Sequence, residues 1–296
     1  MASIDLLRRL AALLLGLAAV LGPSLARADA AELRARHAEL RERLQKNTFG
    51  HALHIESGEQ PDRLAGQVHA LLDHPFPVVS SALRDPARWC DILILPFNTK
   101  YCHAVRTPAG TALQVRIGRK WNQPVQDAYR LQFDWRQAAA RPDYFETHLR
   151  AAEGPVGTRD YRIEVSAVPV DGDRTFLRLN YSYGYGGAGR MAMQLYLATA
   201  GADKVGFTVV GQDAQGQPQY IGGVRGAVER NAMRYYLAID AFLDSLSAPP
   251  GQQVERRLRN WFAATERYPR QLREMDAGTY LAMKRQEVER QQVLIE

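Results

Sequence analysis

The chain has 296 residues, of which 46% are hydrophobic and 24% are charged, with 23 glycines and 15 prolines. These proportions are ordinary for a folded protein and exclude a disordered, collagen-like or multi-span membrane protein. The formal net charge is +6 at pH 7, but acidic residues are interspersed among the arginines and no long run of like charge occurs. We therefore expect a solvated surface of mixed charge and no binding of nucleic acid.

Residues 1–28 have the three parts of an export signal. Arg8 and Arg9 supply the positive charge, residues 10–25 form an apolar run, and residues 26–28 (Ala-Arg-Ala) place small side chains at the cleavage positions. The run is about 16 residues long, which is shorter than the ~20 that span a bilayer. We expect a cleaved signal peptide, a periplasmic location and no transmembrane span after cleavage. An uncleaved anchor is the alternative.

Three kinds of element follow the signal. Apolar residues at helical spacing over 31–47 predict a lead-in helix on the surface, within a segment that covers residues 29–50. Alternation over 64–72 predicts a strand. Helix-like spacing then predicts two short helices, over 76–84 and 87–94.

Export determines how the two cysteines, Cys90 and Cys102, are interpreted. An oxidising compartment favours a disulfide between them, and closing a loop of about a dozen residues contributes on the order of 3 kcal/mol in the chain-entropy treatment. A metal site that adds Asp91 and His103 is one alternative, but neither CxxC nor HxxxH spacing supports it. Two buried free thiols are the other. We expect the disulfide and no metal.

The middle of the chain alternates apolar and polar residues over long stretches. A period of two is typical of antiparallel strands with one face in water, and turn residues such as those at 171–173 separate the stretches. The predicted strands are 112–121, 127–136, 144–151, 158–168 and 173–185, with one more short strand over 205–209.

The tail of the chain is predicted to be helical. An apolar stripe over 224–246 indicates one long amphipathic helix, which ends at residues 248–251 (Ala-Pro-Pro-Gly). Two more helical stretches, 252–266 and 270–292, then form a C-terminal extension over 249–296. An extra helix is expected at 189–199.

The order of these elements predicts an α+β fold in which helix packs on one face of a curved sheet. The stretch LLDHPFPVVSSALRDPARWCDILILPFNTKYC (71–102), the strands after it and the closing helix GVRGAVERNAMRYYLAIDAFLDSL (223–246) resemble the START-like, or SRPBCC, superfamily, whose architecture is the helix-grip fold. The resemblance implies one domain over 51–248, with an antiparallel sheet wrapped around the long helix and a hydrophobic cavity between them. Many members of that superfamily bind lipids, sterols or other apolar molecules, and some are polyketide cyclases or aromatases. The C-terminal extension departs from the plain pattern and could cover the mouth of the cavity.

Aromatic side chains are abundant on the predicted strands. They fit either ordinary core packing or the wall of an apolar pocket. On the pocket interpretation, the binding residues are the aromatic side chains Trp121, Phe133, Trp135, Tyr181, Tyr183 and Tyr185, with Arg234 of the long helix as an anchor for a ligand headgroup.

The sequence contains no persuasive catalytic motif. Residues 184–189 satisfy G-x-G-x-x-G, but antiparallel strands precede the motif and no βαβ alternation follows it. We therefore expect a glycine-rich turn there and no cofactor. An enzyme on this scaffold would need ionisable groups that converge in the cavity. The weak candidates for such a catalytic set are Glu229, Arg230, His148 and Tyr183.

The combined expectation is a periplasmic START-like module that binds a hydrophobic small molecule or lipid in an internal cavity, without catalysis. One alternative is a cyclase-like or hydrolytic enzyme on the same scaffold. Another is an envelope interaction protein whose cavity is filled by side chains and whose C-terminal helices dock a protein partner.

Overall fold

The structure is a computed structural model that describes residues 29–199 and 201–293. The predicted signal segment, residues 1–28, lies outside the described residues. The first helix, α1, covers residues 29–45. The elements that follow are β1 (Leu53–Gln60), β2 (Arg63–Leu72), α2 (Phe76–Leu83), α3 (Pro86–Leu93), β3 (Thr99–Thr107), β4 (Gly110–Ile117), β5 (Tyr129–Arg141), β6 (Tyr144–Glu153), β7 (Thr158–Pro169), β8 (Thr175–Tyr185), α4 (Gly187–Ala198), β9 (Val209–Gln212), β10 (Pro218–Tyr220), α5 (Gly223–Ser245), α6 (Pro250–Glu266), α7 (Pro269–Leu272) and α8 (Ala277–Arg290).

Eight of the strands form one antiparallel sheet in the order β1-β2-β8-β7-β6-β5-β4-β3. The strands β9 and β10 form a separate hairpin. The long helix α5 packs against β1, β2 and β8 on one face of the large sheet. We call this the inner face and the opposite one the outer face. An antiparallel sheet that grips a long helix after the last sheet strand confirms the predicted α+β helix-grip fold.

The seam between the inner face and α5 is tightly closed near the middle of β2. A Cβ atom at Gly66 would lie 3.0 Å from the carbonyl oxygen of Val228 and 3.2 Å from the Cβ of Ala232. The absence of a side chain at residue 66 therefore lets the strand and the helix backbone touch. Val228 and Ala232 are themselves fully buried. The seam is therefore closed at this point.

The short helices α2 and α3 cover the rest of the inner face. The indole N–H of Trp89 donates to the carbonyl oxygen of Leu83 at 2.9 Å, and the hydroxyl of Thr147 on β6 donates to the same oxygen at 3.2 Å. The predicted pair, Cys90 of α3 and Cys102 of β3, is joined by a disulfide with a Cα–Cα distance of 5.1 Å. The bond fastens the edge strand of the sheet to the helix layer.

The predicted lead-in helix is α1, and it lies across the outer face. Its apolar stripe is buried against side chains from β6, β7 and β8, so the outer face has its own small core. That core consists of Ala30, Leu33, Leu40 and Leu44 from the helix and Tyr144, Val168 and Phe176 from the strands. The sheet is thus covered on both faces over part of its area.

The C-terminal extension packs on the body of the domain. Helix α6 lies along α5, and α8 lies against α6 and the edge strand β3. The indole N–H of Trp261 donates to the carbonyl oxygen of Arg234 at 3.1 Å. Lys100 and Lys284 are fully buried and both hydrogen bond to Glu287, at 3.1 and 2.7 Å. Within the described ranges, no helix combines the length and apolar character needed to cross a membrane.

Candidate functional site

A cavity of about 460 Å³ lies where β2 and β8 meet α4 and the first turn of α5. Its apolar wall comes from five side chains on these four elements. They are Leu64, Tyr183, Tyr185, Met193 and Val224. Polar side chains of Glu59, Gln60, Arg190 and Gln194 complete the lining. Among the described residues, none of those that line the cavity belongs to α6, α7 or α8.

The alternation of β8 brings the tyrosines to the cavity. Because successive strand residues point to opposite faces, Tyr181, Tyr183 and Tyr185 all lie on the inner face, which packs on α5. The strand ends at Tyr185 and α4 begins at Gly187. A Cβ atom at Gly189 would lie 3.0 Å from the Cβ of Tyr185. The glycine-rich motif therefore lets α4 pack closely over the end of β8.

Arg190 fixes the position of α4 over the cavity. Its guanidinium donates to the carbonyl oxygen of Pro61, in the β1–β2 turn, at 2.5 Å. Its central carbon also lies 5.8 Å from the centre of the Tyr185 ring, within the range of a cation–π interaction. One side chain thus joins the helix to the turn and to a wall of the cavity.

A group of four tyrosines extends from the cavity wall into the core. The rings of Tyr161 and Tyr183 stack with centroids 5.2 Å apart, and Tyr181 lies 5.7 Å from Tyr183 and 5.2 Å from Tyr235. Burial raises the pKa of Tyr181 and that of Tyr235 well above the usual tyrosine value. These phenols stay neutral at physiological pH and can only donate or accept hydrogen bonds.

Glu229, a candidate acid or base, is a buried anchor. Its carboxylate accepts hydrogen bonds from the Ser57 hydroxyl at 2.6 Å, from the Phe207 N–H at 2.6 Å, and from the N–H and hydroxyl of Thr208 at 2.9 and 2.7 Å. Its side chain has no exposed surface. Four donors occupy the acceptor sites of a carboxylate, so Glu229 ties β1 and the segment before β9 to α5.

The other catalytic candidates lie apart from one another. Arg230 donates to the carbonyl oxygen of Val205 at 3.2 Å, beside the segment that Glu229 holds. His148 lies on the outer face, where its ring nitrogen is 2.7 Å from Glu146. Tyr183 is on the cavity wall. The described geometry therefore does not bring the four candidates to one point.

The predicted ligand residues separate into three groups. Tyr183 and Tyr185 line the cavity, and Tyr181 lies in the layer of rings behind them. Phe133 is buried in the core, and Trp135 on the same strand lines a different recess near the β3–β4 turn. Trp121 is in the β4–β5 loop and is 59% exposed, while Arg234 forms an ion pair with Glu274 at 2.7 Å.

Apart from Tyr183 and Tyr185, the residues that line the cavity were not among the predicted ones. Leu64 has a readable signal, because it shares the inner face of β2 with Gly66 in the alternation over 64–72. Val224, Met193 and Arg190 have no such signal, because the sequence does not show where α4 lies relative to the sheet. In the part of the chain that the structure describes, no group of three or more His, Cys, Asp or Glu residues could hold a metal ion.

The eight-stranded antiparallel sheet closed on α5 is the helix-grip fold, the architecture of the START-like superfamily. No protein-family model matches the chain, and no curated protein matches it. Similar solved structures include an aromatase/cyclase from Streptomyces sp. R1128, which is 14% identical (73% of this chain, 96% of the other, TM-score 0.32). Human StAR-related lipid transfer protein 5 is 9% identical (54% of this chain, 85% of the other, TM-score 0.29). Norcoclaurine synthase from Thalictrum flavum is 11% identical (51% of this chain, 80% of the other, TM-score 0.30).

Proposed function

We propose that the protein binds a hydrophobic small molecule or a segment of a lipid in the cavity beneath α4, without catalysis. The observation that carries this proposal is the cavity itself, with Leu64, Met193 and Val224 facing two tyrosine rings. Its volume of about 460 Å³ lies within the range typical of sites for a drug-sized ligand. Each buried methylene group contributes roughly 0.8 kcal/mol to binding, so even a partly enclosed apolar ligand would be held.

The closed part of the seam limits the size of the ligand. Gly66 touches the backbone of α5 two residues along β2 from Leu64, which lines the cavity, so an apolar molecule cannot pass between β2 and α5 at that point. A ring system or one acyl segment fits this geometry, and the rest of a larger lipid would extend past the polar side chains at the rim. Those side chains, Glu59, Gln60 and Gln194, can hydrogen bond to a ligand headgroup.

Binding is favoured over catalysis by the state of the ionisable groups. General acid–base chemistry needs a group within hydrogen-bond reach of the substrate and with a pKa close to the working pH. Glu229 is fully occupied by four donors, and burial keeps Tyr181 in its neutral form. A hydrolytic or cyclase-like activity therefore has less support than simple binding.

Export to the periplasm belongs to the same proposal. The Cys90–Cys102 disulfide suits an oxidising compartment. Cleavage after residue 28 would leave α1 and every described element in the mature chain. Docking of an envelope partner through the C-terminal helices stays a prediction.

Two tryptophan variants on α4 test the proposed cavity. Met193→Trp places a large ring on a residue that lines the cavity, whereas Met191, two positions earlier, is 71% exposed and provides the matched control. The neutral apolar dye N-phenyl-1-naphthylamine serves as the probe. We expect wild type and Met191→Trp to bind the dye equally and Met193→Trp to bind it about tenfold more weakly, equivalent to ~1.4 kcal/mol. Absence of dye binding by the wild type, or equal binding by all three proteins, would contradict the proposal.

A further inference from the structure

A recess of about 390 Å³ lies where the C-terminal extension meets the segment before β1 and the β9–β10 hairpin. Its aromatic wall comes from Phe49 before β1, Phe207 before β9, Tyr220 on β10 and Tyr268 between α6 and α7. The recess has no lining residue in common with the cavity beneath α4. It is therefore a second place at which the described chain can hold a ligand.

Three of the aromatic rings pack as one rigid group. The ring of Phe207 meets that of Tyr268 edge-on with centroids 5.4 Å apart, and the Phe49 ring lies 6.0 and 6.2 Å from these two. The Tyr268 hydroxyl also donates to the carbonyl oxygen of Phe49 at 3.0 Å. Phe207 is buried, whereas Phe49 and Tyr268 are only partly buried. Rings that are already fixed offer a surface for an aromatic ligand with little further loss of side-chain freedom.

Two arginines of the extension give the recess a positive charge. Arg267 and Arg270 both line it, and both are exposed. The central carbon of the Arg270 guanidinium lies 5.4 Å from the centre of the Tyr220 ring, within the range of a cation–π interaction. The guanidinium of Arg267 contacts the Nε2 atom of His51. Neither contact supplies a negative charge to the arginine.

The described lining of the recess contains no acidic residue. Across residues 29–199 and 201–293, neither Arg267 nor Arg270 forms an ion pair with a carboxylate. Asp240 on α5 interacts electrostatically with Arg267, but it does not line the recess. Burial, followed by the charge of Arg267, lowers the pKa of His51, as a positive potential beside the recess would. An anionic group is therefore the complement of this surface.

We propose that the recess binds a small aromatic carboxylate, with its ring against Phe49 and Tyr268 and its carboxylate at Arg267 and Arg270. A planar guanidinium offers paired N–H donors that match the two oxygen atoms of a carboxylate, and such charge-assisted hydrogen bonds are stronger than neutral ones. The volume lies within the range of sites for small molecules. Because both arginines and Tyr268 belong to the C-terminal extension, this site exists only where the extension packs on the domain.

Two glutamine variants test the carboxylate site. Arg270→Gln removes a guanidinium from the recess at an exposed position, so folding should be preserved. Arg256→Gln is the matched control, since Arg256 is exposed, lies on α6 and is not among the residues that line the recess. Titration calorimetry with para-benzoylbenzoate should give equal affinities for the wild type and Arg256→Gln. Arg270→Gln should bind about tenfold more weakly, equivalent to ~1.4 kcal/mol.

A neutral analogue separates the charge of the probe from its rings. Para-hydroxymethylbenzophenone has the same two rings without the carboxylate, so it should bind the wild type more weakly than para-benzoylbenzoate does. Its affinity should be the same for the wild type and Arg270→Gln. Arg267→Gln, which removes the other guanidinium, should also weaken binding of the carboxylate, and it replaces Arg270→Gln if that variant does not fold.

Photolabelling locates the bound probe, because irradiated para-benzoylbenzoate attaches to nearby C–H groups. Peptide mapping of the wild type should find the label within residues 48–50 or 267–271. The proposal is overturned if the wild type does not bind the probe, if Arg256→Gln weakens binding as much as Arg270→Gln, or if the label lies elsewhere. A label confined to the cavity beneath α4 would overturn this site and leave the proposed apolar cavity in place.

Discussion

The hydroxyl of Ser57 on the edge strand β1 donates a 2.6 Å hydrogen bond to the buried carboxylate of Glu229 on α5. The same carboxylate accepts hydrogen bonds from the backbone N–H groups of Phe207 and Thr208. One side chain thus joins the edge of the sheet, the long helix and the segment that precedes β9. This end of the helix also provides Val224 to the cavity wall.

Glu229→Ala should destabilise the fold by ~2–5 kcal/mol, because it leaves buried backbone donors without a partner. Ser57→Ala removes one donor and leaves the carboxylate with its other partners, so it should cost only about 1 kcal/mol. Urea unfolding measures both values. Equal free energies of unfolding for the two variants would mean that Glu229 does not organise this junction.

Gly66→Ala should destabilise the protein by ~1–3 kcal/mol through overpacking, because the new Cβ atom would lie 3.0 Å from a backbone oxygen of α5. Gly58 on β1 provides the control, since a Cβ atom there would meet nothing within 4 Å. Gly58→Ala should be neutral or slightly stabilising. Thermal unfolding followed by circular dichroism compares the two. A Gly66→Ala protein as stable as Gly58→Ala would show that the seam is looser than described.

Asp240→Asn should stabilise the protein at neutral pH. Burial, followed by the nearby charge of Asp244, raises the pKa of Asp240 to about 6. The ordinary pKa of an aspartate is about 4, so between pH ~4 and ~6 the folded state retains a proton that the unfolded state has lost. Stability therefore falls as the pH rises through this window and the cost persists above it.

The gain from Asp240→Asn should be ~1–2 kcal/mol at about pH 7.5 and should disappear below about pH 4, where both states of the wild type are protonated. Denaturant unfolding at several pH values checks the expectation. A gain that does not vary with pH would assign the effect to packing instead of charge.

Removing the disulfide by the double substitution Cys90→Ala and Cys102→Ala should cost roughly 3 kcal/mol, since the unfolded chain regains the freedom of the closed loop. A reductant should lower the melting temperature of the wild type and leave that of the double variant unchanged. If the wild type does not respond to the reductant, the bond does not contribute to its stability under those conditions.

The sequence was most informative where one face of a strand meets water. Alternation predicted β4 to β8 because each has an inner apolar face and an outer face that is partly exposed. It missed β3, where Lys100, Tyr101 and Cys102 are all buried. The helix α8 covers this strand and supplies Glu287 to the Lys100 ammonium. Because tertiary contacts bury consecutive residues of β3, its sequence lacks the alternation of apolar and polar residues from which a strand is predicted. The polar strand β1 was missed as well.

The short strand expected over 205–209 lies slightly later, at Val209–Gln212. The backbone of the earlier residues has other partners: Gly206 N–H donates to the carbonyl of Ile221, and Phe207 N–H donates to Glu229. A buried carboxylate thus competes with strand pairing for these donors. Such competition depends on the folded position of α5 and has no signature in the local sequence.

The candidate site was predicted only in part, for a geometric reason. The two-residue period correctly places Tyr183 and Tyr185 on the inner face, and both line the cavity. The period does not show at which end of the sheet a residue lies. Phe133 and Trp135 were therefore predicted to bind the ligand together with Tyr183 and Tyr185, although they lie outside this cavity. The location of the cavity depends on where α4 lies. That position is set by tertiary contacts such as the hydrogen bond from Arg190 to the carbonyl oxygen of Pro61.

Native mass spectrometry of the protein purified from its own cell envelope tests the central claim most directly. We predict that the wild type carries an apolar molecule of lipid or small-molecule mass, and that this molecule is absent or strongly depleted in Met193→Trp but retained in Met191→Trp. Wild-type protein that is always free of ligand, or a ligand that the Met193→Trp variant retains equally, would contradict the claim that the cavity beneath α4 is a binding site.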